Sequence, residues 1–134
     1  MRLAADANAL LSALIGGHAA RIFHHPAIRE ILTTEHTMSE VQEYAPILAR
    51  KRRLALDLVL IAAASLPVTI VGRAAYAPSL PEARKRIGRR DPDDAELLAL
   101  ALQFDIPIWS NDNDFANTGV SWFTTASLLA TLES

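Results

Sequence analysis

The sequence predicts a single α/β domain, residues 1–134, in three layers: a mostly parallel sheet covered by helices on both faces. Three observations point there. The chain has 134 residues, 51% of them hydrophobic, which suits one compact core. Short apolar, β-branched segments alternate with helix-like ones, and that alternation builds parallel sheets. Cysteine is absent, which excludes a disulfide scaffold, a cysteine-ligated zinc site and an iron–sulfur cluster.

Residues 2–6 read as a buried strand, and residues 7–15 as a helix ended by Gly16-Gly17. A second helix starts at His18 and stops near Pro26. Residues 31–34 form a strand. Thr37 or Ser39 caps the next helix, which runs through Glu40, Glu43 and Leu48. Residues 52–66 are nearly all apolar and predict a helix deep in the domain. The apolar run from Leu54 to Val71 holds Asp57 and Pro67 and is too short to span a bilayer, which needs ~20 residues. A short strand at 68–71, a Pro-rich connector and a helix over Glu82–Ile87 follow. Asp91-Pro92-Asp93-Asp94 opens a helix running to Phe104, with Asp as cap, Pro at the first position and acids in the first turn. Residues 106–110 and 120–123 are strands, and 125–133 is a final helix.

In such a fold the functional crevice lies beyond the carboxyl ends of the strands. Asp6 closes the first strand. Asp112 and Asp114 follow the strand ending at Ser110. Glu40 lies in the first turn of the helix after the 31–34 strand. Asp94 heads an apolar stripe with Leu98 and Ala101, so it faces the crevice rather than the outer surface. A parallel sheet therefore brings carboxylates from four segments to one edge. Two like charges at ~4 Å repel by about 4 kcal/mol at an effective dielectric of 20. Such a cluster raises its pKa values or holds a cation. All the ligands are hard oxygens, with no well-placed histidine, so the cation is Mg²⁺ or Mn²⁺, one or two ions, acting on phosphates.

Four motifs in order resemble those of PIN-domain proteins, the metal-dependent ribonucleases that include VapC-type toxins. They are Asp6-Ala7-Asn8-Ala9-Leu10-Leu11, Thr37-Met38-Ser39-Glu40-Val41, the Ala/Leu-rich helix led by Asp94, and Pro107-Ile108-Trp109-Ser110-Asn111-Asp112-Asn113-Asp114-Phe115. They span residues 6–115. The resemblance implies a three-layer PIN-like fold in which Asp6, Glu40, Asp94 and Asp112 are catalytic metal ligands and Asp114 is a further metal-binding acid. Ser110 stands where the family more often has Thr and keeps the hydroxyl. Asn8 either hydrogen-bonds to the site or caps its helix. Asp94 fits the third motif by its distance to the Ala/Leu pattern, with Asp91 and Asp93 as supporting acids behind the ligands. The implied reaction is hydrolysis of RNA phosphodiesters to 5′-phosphate products. The implied partners are RNA, a small antitoxin protein and a second copy of the chain. The alternative is a catalytically inactive PIN-like module that binds RNA or protein.

Nine of the 13 Lys and Arg lie in two clusters, Arg50-Lys51-Arg52-Arg53 and Arg84, Lys85, Arg86, Arg89 and Arg90. The second adjoins Asp91 and is the candidate RNA-binding surface. His18, His24, His25 and His36 read as surface or helix-end residues. Walker, dinucleotide-binding, Gly-x-Ser-x-Gly and His-Glu-x-x-His motifs are absent. Neither a signal peptide nor a membrane span is read, so a cytoplasmic protein is expected. The net charge is −2. With the five metal-binding acids set aside, the other 10 acids face 13 basic residues, a formal +3. The overall charge therefore permits an RNA substrate.

Overall fold

The structure, a computed structural model, describes residues 1–88 and 91–134. Five parallel strands form one sheet: β1 (Arg2–Ala5), β2 (Glu30–Thr34), β3 (Thr69–Val71), β4 (Ile108–Trp109) and β5 (Trp122–Phe123). Their order is β3-β2-β1-β4-β5. Leu3 lies opposite Ile31, and Ala4 opposite Ile108. The chain winds outward from β1 through β2 to β3, then crosses back to place β4 on the other side of β1. The order reverses between β1 and β4, so the crevice opens where those two strands end.

Among the described residues there are seven helices, covering the sheet or packing on those that do: α1 (Ala7–Leu14), α2 (His18–His24), α3 (Glu35–Lys51), α4 (Leu56–Ala64), α5 (Leu80–Ile87), α6 (Pro92–Phe104) and α7 (Thr125–Leu132). The period of two along the strands divides the core. Leu3, Ala5, Ile31 and Trp109 pack with α1, α2, the start of α3 and α7. Ala4, Leu32, Val71 and Ile108 pack with α5 and α6 on the opposite face. The predicted three-layer α/β architecture is the observed one, with an entirely parallel sheet.

Three expectations change. Thr34, not Thr37 or Ser39, caps α3, accepting from Thr37 N at 2.8 Å. The helix starts at Glu35, which puts Glu40 in its second turn. The predicted helix over 52–66 is shorter and does not lie deep. Arg52 ends α3, Arg53 takes a left-handed φ of 54°, and α4 begins at Leu56. Only Val59 and Ala63 of α4 are buried, and Val59 packs against Ala45 and Ala49 of α3, while Leu58 is 67% and Ile61 61% exposed. This helix covers another helix rather than the sheet, so one narrow stripe suffices. The last two strands contract to two residues each. Among the described residues no helix is long and apolar enough to cross a membrane.

Candidate metal centre

Asp6 sits at the reversal point. As N-cap of α1 it accepts from Ala7 N at 2.8 Å through Oδ1. Its Oδ2 accepts from Ser110 Oγ at 2.8 Å and from Asn8 Nδ2 at 3.2 Å. Asn8 Nδ2 also reaches Ser110 Oγ at 3.2 Å, and Asn8 Oδ1 accepts from Asn111 N at 2.9 Å. Ser110 Oγ in turn accepts from Asp112 N at 3.1 Å. These bonds tie the ends of β1 and β4 together and fix the Asp6 carboxylate. Asn8 thus bonds to Asp6, Ser110 and Asn111, while Asp6 is the residue that caps α1. Burial raises the Asp6 pKa. The bonds from Ser110 and Ala7 oppose that rise, and the charges of Asp112 and Asp91 add to it.

Asp94 projects from the first turn of α6, a start fixed by Asp91, whose side chain accepts from Asp93 N at 3.0 Å, and by Pro92. It is only 8% exposed. Burial pushes its carboxyl up to about 8, with a hydrogen bond to Asp114 and the charges of Asp91, Asp6 and Asp114 adding to the rise. Among the described residues, its buried Oδ2 has no hydrogen-bond partner. Carboxylate oxygens of Asp91, Asp94 and Asp114 lie within 4.8 Å of one another. Asp91 therefore joins the cluster directly.

Glu40 reaches the crevice from α3. Its carboxyl is pushed up to about 7 by burial, then by Asp93 and Asp6, with His36 opposing and Asp91 adding. Asp93 acts on the Glu40 carboxyl by its charge. Its Oδ1 lies 2.9 Å from His36 Nε2, and Glu40 Oε1 is 3.7 Å from the same nitrogen. A histidine thus stands beside the acids after all. Its i, i+4 spacing to Glu40 is the sequence signal that could have found it. Asp112 is exposed and acts on Asp6 by its charge.

The expected basic surface divides. Arg84 and Lys85 are exposed in the last turn of α5. Arg86 bonds to Glu82 Oε1 at 3.0 Å and to Thr118 O at 3.0 Å. Arg89 and Arg90 lie outside the described residues.

The donors fit a small hard cation. They are carboxylate oxygens, one of them buried without a partner, and their mutual repulsion is what a divalent ion relieves.

A parallel three-layer fold with acids converging at its reversal point defines a class of α/β domain with an acidic crevice. The PIN domain family profile matches residues 5–133, and the chain belongs to that family. The solved structures that share the fold include the following three. PAE2754 from Pyrobaculum aerophilum aligns at a TM-score of 0.74 with 17% identity, over 99% of this chain and 90% of its own. VapC20 of Mycobacterium tuberculosis, described as a sarcin-ricin loop cleaving toxin, aligns at 0.62 with 20% identity, over 88% and 95%. VapBC2 from Rickettsia felis, solved bound to a DNA fragment from its promoter, aligns at 0.67 with 12% identity, over 92% and 98%. No curated protein matches significantly.

Proposed function

We propose that this chain is a Mg²⁺- or Mn²⁺-dependent endoribonuclease and the toxin of a toxin–antitoxin pair. The observation that carries the reading is the buried, partnerless Asp94 Oδ2 inside a cluster of carboxylates drawn from separate chain segments. Membership of the PIN family and the toxin named among the similar structures support it.

Asp6, Glu40, Asp94 and Asp112 would hold the metal, with Asp114 and Asp91 completing the negative charge. A bound divalent ion supplies activation of water and stabilisation of charge on the phosphate. The protein does the rest. Ser110 and Asn8 hold Asp6 in one orientation. Burial lifts the pKa values of Asp94 and Glu40, so those carboxyls give up protons as an ion enters. Exposed Arg84 and Lys85, with Arg89 and Arg90 next in sequence, track the RNA backbone, and Arg86 braces the loop at Thr118. The exposed apolar stripe of α4, with Leu58 and Ile61, is offered to the antitoxin or to a second copy. One domain and a cytoplasmic location complete the proposal.

Single-stranded RNA incubated with Mg²⁺ tests it. Wild type is expected to yield fragments with 5′-phosphates, and Asp6→Asn to cleave more than ~100-fold more slowly. Equal cleavage by both proteins, or full activity in a chelator, would contradict it. Ser110→Ala removes a bond to Asp6 without touching a carboxylate. Calorimetric Mn²⁺ titration is expected to read an affinity ~10-fold weaker or more.

A further inference from the structure

We propose that His36, Glu40 and Asp93 form a second cation site, one that takes a borderline ion of the Zn²⁺ class rather than Mg²⁺. His36 and Glu40 stand one turn apart on α3, and Asp93 comes from the start of α6. One donor atom from each lies within 4.8 Å of the other two. Zn²⁺ ligands at ~2.0–2.1 Å on a tetrahedron lie roughly 3.3 Å apart. The two separations from His36 Nε2, 2.9 Å to Asp93 and 3.7 Å to Glu40, straddle that edge. Small rotations of exposed side chains close the difference.

The imidazole decides the ion. Nitrogen with two carboxylates suits Zn²⁺, whereas Mg²⁺ prefers all-oxygen octahedra and keeps its waters. The Asp91, Asp94 and Asp114 cluster offers oxygen alone, so two chemically distinct sets lie side by side. Side-chain exposures of 40% for His36, 29% for Glu40 and 57% for Asp93 let an ion enter without any opening of the fold, and solvent fills the fourth position.

Glu40 is also one of the proposed ligands in the crevice. An ion on His36 draws Glu40 away from the crevice, so Zn²⁺ opposes the Mg²⁺-supported reaction; this consequence alone rests on the proposed nuclease function.

The test uses the whole chain, free of RNA, with Zn²⁺ alone. Nitrogen NMR of the His36 ring is expected to show Nε2 shifting with Zn²⁺ and holding still with Mg²⁺. Calorimetry is expected to read at least tenfold weaker Zn²⁺ binding in His36→Ala and in Asp93→Asn, with melting temperatures that confirm both variants fold. An unmoved His36 nitrogen, or wild-type Zn²⁺ affinity in His36→Ala, overturns the proposal. Neither readout needs cleavage, so an inactive protein that binds Zn²⁺ through His36 refutes the nuclease reading and leaves this site standing.

Discussion

Asp94→Asn is expected to do two opposite things at once. RNA cleavage falls more than ~100-fold, because the most buried carboxylate of the cluster loses its charge and one of its acceptor oxygens. The cation-free protein at pH 8 melts at a higher temperature, because the amide cannot ionise among Asp6, Asp91 and Asp114. At pH 5 Asp94 is already protonated and the melting temperatures converge. A carboxylate kept only for packing would give the reverse pattern: unchanged activity and lost stability. Calorimetric melting at the two pH values, with a cleavage time course, reads both effects.

The second large effect is linkage between protons and metal. Asp94 titrates near 8 and Glu40 near 7 in the folded chain, both above their ordinary carboxylate values. The folded state therefore binds more protons than the unfolded one between about pH 4 and 8. The stability these two groups contribute is full below their unfolded pKa values and lost as pH rises through the folded ones. Without divalent ions the melting temperature is expected to fall across that window. Mg²⁺ at about 100 times its dissociation constant adds ~2.7 kcal/mol, so at pH 8 the melting temperature rises by roughly 10 °C. A melting temperature that ignores both pH and Mg²⁺ would count against the cation site.

Local chemistry made much of this legible. Asp91, Pro92 and the acids after them are a helix start wherever they occur, and α6 begins where they place it. The alternation of strands and helices sufficed for the parallel sheet, which carries Asp6 and the loop with Asp114 to one edge, where the start of α6 brings Asp94. What stayed hidden depends on tertiary packing. Thr34, Thr37 and Ser39 are equivalent caps on paper, and only the end of β2 selects Thr34. The apolar run of α4 reads as core, yet it packs on α3 outside the sheet layers, which leaves Leu58 and Ile61 in solvent. His36 and Asp93 are 57 positions apart, and nothing short of α3 meeting α6 brings them together. The direct part played by Asp91 was hidden for the same reason: an N-cap acid is ordinary until Asp114 arrives from the far side of β4.

The central claim is that carboxylates from several segments make one cation-holding centre, and Mn²⁺ binding tests it most directly. Calorimetric titration of the RNA-free chain at pH 8 is expected to show one or two ions bound, with proton release, and binding at least ~100-fold weaker in both Asp6→Asn and Asp94→Asn. Wild-type Mn²⁺ affinity in those two variants, or no binding by the wild-type chain, would contradict the account.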